Sequence, residues 1–249
     1  MHAVWSRRTL LAAPALAAPA FAAAAIPAAA AETTHYPMAC DPSLVAAVRE
    51  AAALFRRRTG IAIHALPTGP ALMVPQMTHQ IQNDIVMSRA DIVDAVGAAG
   101  FAVPGAPRPR FAVKLVLAIP ADAPPTALDA AIAQGIFAIT DATPGHDRDD
   151  VAILAAMGYA PARLLGGLDS GEVGAMVASG QAGAGLMLLS DVRANPGLRV
   201  AHEAATPPIA YLAATTRTPR RPVPEAFLVF LSEGDGAPIL AHHGVEHVA

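Results

Sequence analysis

The side chains with the clearest chemical capacity lie in two short polar segments of the 249-residue chain. Cys40 is followed directly by Asp41, and His146 precedes Asp147 in a segment rich in acidic residues. An imidazole, a carboxylate and a thiolate would suit a transition-metal ion, since such ions prefer nitrogen and sulfur ligands. The alternative is that His146 is a solvated loop residue and Cys40 a small packed thiol. The candidate metal ligands are therefore His146, Asp41 and Cys40.

Three residues could either bind a solute or only stabilise the backbone. Arg89 stands at a predicted helix start and could supply the counter-charge of an anion, although a cation is slightly disfavoured there. Asp41 and Ser43 precede the first predicted helix, where both residue types cap free backbone N–H groups. Both interpretations stay open for each residue.

Composition and motifs exclude several classes of protein. The chain has no nucleophile elbow, phosphate loop or zinc-protease helix, so we do not expect an enzyme. With 54% hydrophobic and 15% charged residues, it is expected to fold around a substantial core. Without residues 1–31 it has 15 basic and 20 acidic residues, a net charge of −5. This charge argues against a nucleic-acid partner, which would require clustered positive charge.

The first 31 residues have the pattern of an export signal. Residues 6–11 read Ser-Arg-Arg-Thr-Leu-Leu, the paired arginines and hydrophobics of a twin-arginine signal. An alanine-rich apolar run extends to Ile26, and Ala29-Ala30-Ala31 offers a small-residue cleavage site. We expect Glu32 to be the first mature residue, in the periplasm and without membrane insertion. An uncleaved anchor is the weaker alternative, because three prolines interrupt the run.

Predicted strands and helices alternate along the rest of the chain. The first predicted helix ends at Gly60 and is followed by a short strand over Ile61–Ala65, and Asp84–Met87 reads as a buried strand. The longest β-like run is Phe111–Ile119. This alternation predicts an α/β fold of mainly parallel sheets with helices on both faces. Ligands of such sheets bind at the carboxyl ends of the strands. The corresponding loops are 40–43, 66–70, 88–91, 141–147, 166–170 and 190–191.

Five segments match, in order, the motifs of a known family. They are Leu54–Gly60 (ending Thr-Gly), Asn83–Asp91, Leu115–Pro120 (Leu-Val-Leu-Ala-Ile-Pro), Val177–Gly185 and Pro207–Tyr211 (Pro-Pro-Ile-Ala-Tyr). In this order and spacing, the chain resembles the molybdate-binding periplasmic proteins, a branch of the two-lobed solute-binding proteins that serve ABC importers. The resemblance implies two α/β lobes joined by a two-segment hinge. The first lobe would comprise residues 32–108 and 207–249, and the second lobe residues 109–206.

The resemblance also implies an oxyanion site of serine hydroxyls and backbone N–H groups at helix starts. Ser43 corresponds to the first serine of the family, and Thr68 to the second. The tyrosine position of the family corresponds to Leu188, whose side chain donates no hydrogen bond. With the residues singled out above, the expected ligand-binding set is Asp41, Ser43, Thr68, Arg89, Gly145, His146, Ser170 and Leu188.

The resemblance implies that the protein captures a small ligand between its lobes and delivers it to a permease with its ATPase. It would act as a monomer and require no cofactor. An oxyanion would use hydroxyls and Arg89, whereas a metal ion would use His146, Asp41 and Cys40. The alternative is an accessory protein of the same fold that assists a periplasmic redox enzyme. Neighbouring genes for a permease and an ATPase would favour import, and a neighbouring oxidoreductase gene the accessory role.

Three departures from the family argue against molybdate as the ligand. Pro70 removes a backbone donor, and Leu188 replaces a hydroxyl donor. Each lost hydrogen bond to a charged ligand costs about 1.5–3 kcal/mol. Asp41 adds repulsion of about 1–4 kcal/mol at about 4 Å. The sequence therefore predicts weak molybdate binding.

Replacement of Arg7 and Arg8 together by Lys tests the export route. We expect the precursor to accumulate in the cytoplasm, because the paired arginines are the part of the signal that the twin-arginine pathway reads. Immunoblots of periplasmic and cytoplasmic fractions measure the distribution. The same Arg-to-Lys change at Arg56 and Arg57 is the control and should leave export unchanged. Normal periplasmic levels of the Arg7/Arg8 variant would contradict the prediction.

Overall fold

The computed structural model describes residues 35–79, 81–124, 126–140, 149–216 and 223–248. The predicted signal and the predicted site residues Gly145 and His146 lie outside this part of the chain. The described residues form eleven strands, nine α-helices and a 3-10 helix at Pro42–Leu44. In chain order they are β1 (His35–Cys40), α1 (Val45–Thr59), β2 (Ala62–Pro67), α2 (Pro70–Thr78), β3 (Ile85–Arg89), α3 (Ala90–Ala98), β4 (Arg110–Val113), β5 (Leu115–Pro120), α4 (Ala127–Gln134), β6 (Ile136–Thr140), α5 (Asp150–Ala156), β7 (Arg163–Gly167), α6 (Ser170–Ala178), β8 (Ala184–Leu188), α7 (Leu189–Ala194), β9 (Leu198–Glu203), β10 (Ile209–Thr215), α8 (Val223–Ser232), α9 (Gly236–His242) and β11 (Val245–Val248).

The strands form two separate sheets, each flanked by helices. The six-stranded sheet has the order β11-β4-β10-β3-β1-β2, and the five-stranded sheet has the order β7-β6-β8-β5-β9. We call the first sheet and its helices the first lobe, and the second sheet and its helices the second lobe. This arrangement confirms the predicted two-lobed α/β architecture.

Each sheet is mixed, whereas the sequence predicts mainly parallel sheets. β1 runs parallel to β2 and β3, and β6 runs parallel to β7 and β8. All other pairings are antiparallel, and they involve the strands next to the connections between the lobes. Parallel neighbours need a long crossover, usually a helix. β4 and β5, which a single residue joins, instead pair antiparallel with strands that return from elsewhere in the chain.

The chain passes between the lobes in the middle of its longest β-like run, Phe111–Ile119. β4 ends at Val113 in the first sheet, and β5 begins at Leu115 in the second sheet, so Lys114 is the connection. The sequence predicts one strand over this run and assigns residues 109–113 to the second lobe. β4 instead belongs to the first sheet. Hydrophobic pattern does not separate the two strands, because apolar residues continue from Phe111 in β4 to Ile119 in β5 with only Lys114 between them.

The second connection between the lobes lies beside the first. It spans residues 204–208, between β9 and β10. The N–H of Ala204 donates to the carbonyl oxygen of Leu115 at 3.0 Å. Lys114 Nζ and Glu203 Oε2 form an exposed ion pair at 2.9 Å. The two connections therefore form one adjacent pair of segments, as a two-segment hinge requires.

Helix α1 forms as the sequence predicts and presents its first turns to the strand ends. Val45, Val48 and Phe55 are buried on one face. The Phe55 ring lies 5.2 Å from that of Phe227 in α8, measured between centroids. The helix ends at Gly60, whose φ of 76° places it in the left-handed region. α1, with 15 residues, is the longest described helix, and no helix in the described part of the chain is long and apolar enough to cross a bilayer.

Gly244 lies where the first lobe approaches the second. It precedes β11 with a φ of 76°, and an added Cβ would lie 2.7 Å from Leu189 Cγ at the start of α7. Left-handed backbone costs an L-residue about 1–2 kcal/mol. Both the conformation and the contact therefore require glycine.

Gly244→Ala should lower the free energy of unfolding by about 2 kcal/mol or more, since it adds strain to a contact between the lobes. Urea unfolding followed by circular dichroism measures the change. Gly97→Ala in α3 is the matched control, because an added Cβ there meets nothing within 4 Å. Alanine is also the better helix former. Equal stability of the two variants would show that Gly244 is not constrained.

Candidate ligand site

Asp41 is a buried carboxylate at the carboxyl end of β1. It is 5% exposed, and its N–H donates to the carbonyl oxygen of Met87 in β3 at 2.8 Å. Asp41 Oδ1 accepts from the N–H of Ser43 at 3.2 Å, and Oδ2 accepts from the hydroxyl of Ser88 at 3.3 Å. Asp41 is thus the N-cap of the 3-10 helix, so the expected capping role is present. Since β1, β3 and the first helical turn all contact this residue, its carboxylate has little freedom to move.

Burial raises the pKa of Asp41 from 3.8 to about 6. The Ser43 N–H opposes this shift, and the negative charge of Asp191 adds to it. The Ser88 hydroxyl and the charge of Arg89 lower the pKa by smaller amounts. Asp41 is therefore mostly ionised at pH 7, and its charge is held in a region of low dielectric.

Asp191 brings a second carboxylate from the second lobe. It lies in the first turn of α7, directly after β8, and its pKa is raised by burial. The hydroxyls of Ser170 and Ser43 lie close enough to lower this pKa, whereas Asp169 raises it further. Asp191 Oδ2 is buried and has no hydrogen-bond partner among the described residues. A carboxylate of the second lobe therefore faces a hydroxyl of the first lobe.

Ser170 and Leu188 lie together in the second lobe. Ser170 is 5% exposed, and its Oγ accepts from the N–H of Leu188 at 2.8 Å. Asp169 is the N-cap of α6, because its side chain accepts from the N–H of Glu172 at 2.8 Å. Capping by Asp169 leaves the Ser170 hydroxyl hydrogen free to point towards Asp191. The Leu188 side chain adds no donor to this group.

Thr68 lies beside the strand end of β1, but its hydroxyl is engaged. Its N–H donates to the carbonyl oxygen of Cys40 at 2.8 Å, and its hydroxyl donates to the carbonyl oxygen of Leu66 at 3.2 Å. Gly69 and Pro70 begin α2 without a side-chain cap. Thr68 therefore supports the loop after β2 in this structure.

The surroundings of Arg89 and of Cys40 limit the roles expected for these two residues. The Arg89 guanidinium makes two hydrogen bonds to the carboxylate of Asp91, Nη2–Oδ2 at 2.7 Å and Nε–Oδ1 at 3.2 Å. This pair neutralises the charge that an anion would need. Burial raises the pKa of the Cys40 thiol well above its ordinary value, and the Asp41 charge raises it further. A neutral, fully buried thiol is typical of a packed residue.

The described part of the chain contains no group of three or more His, Cys, Asp or Glu side chains that could hold a metal ion. His146 and Gly145 lie outside that part. Of the expected set, the structure brings Asp41, Ser43 and Ser170 into one polar group. Sequence reasoning did not select Ser88 and Asp191, although the predicted loops 88–91 and 190–191 include them. The structure places Ser88 in β3 and Asp191 in the first turn of α7. Their position near the end of a predicted strand is the signal that could have identified them.

The polar group formed by Asp41, Ser43, Ser88, Ser170 and Asp191 is the candidate ligand site. Its two carboxylates belong to different lobes, and its other members are neutral hydroxyls. Carboxylates accept hydrogen bonds and attract cations, and their combined charge repels a dianion. The site is therefore suited to a solute that carries positive charge or hydrogen-bond donors.

The raised pKa of Asp41 predicts that stability falls as the pH rises. Since the folded chain binds the proton more tightly than the unfolded chain, the contribution of neutral Asp41 is complete below pH 3.8 and is lost as the pH rises through about 6. A shift of this size corresponds to about 3 kcal/mol. Asp41→Asn keeps the shape and should reduce this fall, as measured by urea unfolding between pH 4 and 8.

Asp91→Asn is the control for this experiment. The hydrogen bond from Arg89 lowers the pKa of Asp91, so this carboxyl stabilises the fold above its unfolded pKa and loses that contribution in acid. The control should therefore leave the fall between pH 4 and about 6 unchanged. An equal fall in the wild type and in Asp41→Asn would mean that Asp41 does not titrate as its burial implies.

Comparison with known proteins shows the family to which the chain belongs. The family model for bacterial extracellular solute-binding proteins matches residues 36–246. The substrate-binding domain of a putative molybdenum ABC transporter from Clostridium difficile has a TM-score of 0.69 at 18% identity, over 86% of this chain and 99% of that chain. The periplasmic molybdate-binding protein of Azotobacter vinelandii has a TM-score of 0.67 at 17% identity, over 86% and 99%.

A third similar structure is described as the tungstate ABC transporter from Geobacter sulfurreducens, with a TM-score of 0.59 at 16% identity, over 83% of this chain and 97% of that chain. A sequence search of curated proteins finds no match. At these identities the structures establish the fold, and the family model establishes the kind of protein. That family is one of binding proteins, in agreement with the expectation that the chain is not an enzyme. The chain belongs to the bacterial extracellular solute-binding proteins.

Proposed function

We propose that the protein is the periplasmic solute-binding component of an ABC importer and that its solute is not molybdate. The solute carries positive charge or hydrogen-bond donors, as an organic amine or a metal ion does. The observation that carries this proposal is Asp41, a buried carboxylate at a strand end that faces a second carboxylate, Asp191. Family membership and the molybdenum and tungstate names of similar structures support the import of a small solute.

Electrostatics oppose a dianion in this site. One ionised carboxylate repels a unit negative charge about 4 Å away by about 1–4 kcal/mol, depending on the effective dielectric. Two carboxylates and a doubly charged oxyanion multiply this cost. Arg89 offsets only part of the cost, because Asp91 already holds its guanidinium. A cation placed between Asp41 and Asp191 would instead gain from both charges.

Binding and release follow from the two-lobe architecture. A solute that contacts Asp41 in the first lobe and Asp191 in the second lobe stabilises the arrangement in which both lobes surround it. Rotation about the adjacent connections at Lys114 and 204–208 would separate the two carboxylates. We infer that a permease with its ATPase receives the solute from this arrangement and that the binding protein acts as a monomer.

The proposed location is the periplasm, reached by the twin-arginine route. The signal pattern of residues 1–31 supports this route, and the family is extracellular. Folded export is compatible with a protein whose first lobe is completed by β10 and β11, which lie far along the chain from β1 to β4.

Calorimetric titration of the ligand-free protein with molybdate and tungstate tests the proposal. We expect no heat of binding at micromolar concentration, because Asp41 and Asp191 repel both anions. An unrelated protein with known molybdate affinity serves as the positive control for the reagents. Submicromolar affinity of the wild type for either anion would overturn the proposed ligand class.

Native mass spectrometry with elemental analysis of protein purified from its own periplasm identifies a co-purified solute. We expect a neutral or cationic solute to co-purify with the wild type and to be absent from Asp41→Asn, since this variant removes the charge of the side chain and keeps its shape. Asp94→Asn, which removes an exposed carboxylate paired with Arg108, is the control and should retain the solute. Retention in both variants would exclude Asp41 from the site.

A further inference from the structure

We propose that Asp191 is a specificity-determining residue that acts as an internal anion. Its carboxylate takes the hydroxyls of Ser43 and Ser170, which an anionic solute would otherwise use to contact both lobes. This inference rests on the proposed function, because it concerns the ligand of the same site. It extends that function by assigning the exclusion of anions to a residue of the second lobe.

The position of Asp191 is defined by the starts of α6 and α7. A Cβ added at Gly171, in the first turn of α6, would lie 3.9 Å from Asp191 Oδ1. The hydrogen bond from the Leu188 N–H to Ser170 Oγ, at 2.8 Å, joins the start of α7 to the same turn. The Asp191 carboxylate therefore lies against the start of the nine-residue helix α6, where the first N–H groups have no acceptor within the helix.

Ser43 and Ser170 place one hydroxyl from each lobe at this carboxylate. Ser43 is 7% exposed and Ser170 is 5% exposed. Both hydroxyls lower the pKa of Asp191, as hydrogen-bond donors to its carboxylate do. A hydroxyl has a single hydrogen to donate. When Ser43 and Ser170 donate to Asp191, neither can donate to an incoming oxyanion. The negative charge of Asp191 also repels such an anion.

The first turn of α7 also has acceptor capacity that the protein does not use. Asp191 Oδ2 and the 2%-exposed Ser190 Oγ are buried without a hydrogen-bond partner among the described residues. Buried polar atoms are normally satisfied. The same carboxylate that excludes anions can therefore accept a hydrogen bond from a solute that carries a donor. Asp191 thus selects against anionic solutes and for solutes that carry hydrogen-bond donors.

Molybdate titration of variants in the Asp41→Asn background tests this inference, since that background removes the repulsion of the first lobe. We expect no molybdate binding by Asp41→Asn alone, because Asp191 still occupies both serine hydroxyls. The double variant Asp41→Asn/Asp191→Ala should bind molybdate at least about 100-fold more tightly than the detection limit for the single variant. Two recovered hydrogen bonds and one removed charge are enough for this gain.

Asp41→Asn/Asp94→Ala is the charge-matched control, because it removes an exposed carboxylate that forms an ion pair with Arg108. This control should not gain molybdate binding. If the Asp191→Ala double variant does not fold by circular dichroism, Asp41→Asn/Asp191→Asn replaces it. The amide has nearly the same shape, so we expect a smaller gain of about tenfold, from the lost charge alone.

Two results would overturn the inference. Tight molybdate binding by Asp41→Asn alone would mean that Asp41 is the sole determinant. A folded Asp191 variant with no gain over the control would mean that Asp191 does not occupy the anion position. Both results differ from the failure of the proposed function, in which the wild type itself binds molybdate tightly.

Discussion

The candidate site depends on the need of two buried carboxylates for donors. A buried charge without hydrogen bonds is costly, so each carboxylate limits the geometry of the segments around it. Asp41 receives the N–H of Ser43 and the hydroxyl of Ser88, which holds the end of β1 against β3 and the first helical turn. The hydroxyls of Ser170 and Ser43 lower the pKa of Asp191, which burial raises. Ser43 therefore acts on Asp41 through its N–H and on Asp191 through its hydroxyl.

The chain has the fold of its family, and two buried carboxylates at its strand ends set the charge of the candidate site. Similar structures share this fold at 16–18% identity. Sheets and helices require only the correct apolar pattern and size, which many sequences satisfy. The ligand site requires particular donors and charges, so two or three substitutions can change its preference. A carboxylate in each lobe favours a solute that carries positive charge or hydrogen-bond donors.

Much of the fold could be predicted from the sequence, and less of the site. α1, β3 and β10 have strong apolar patterns and clear ends. β7 and β9 are largely exposed or half-buried, so they have no strong apolar pattern. Asp41, Ser43 and Ser170 could be selected because polar residues at strand ends and helix starts have local signatures. The role of Asp191 depends on the approach of a hydroxyl from a residue almost 150 positions earlier. No local pattern encodes that approach.

The single-residue connection at Lys114 limits how the lobes can rearrange. β4 and β5 are hydrogen-bonded within their own sheets on both sides of this residue. Dihedral change is therefore confined to very few bonds, and the adjacent segment 204–208 must rotate about nearly the same line. Sliding of one lobe over the other would break ladder hydrogen bonds, whereas rotation would not. The molecule thus has essentially one soft degree of freedom, and substitutions at this connection would alter binding kinetics without contacting the solute.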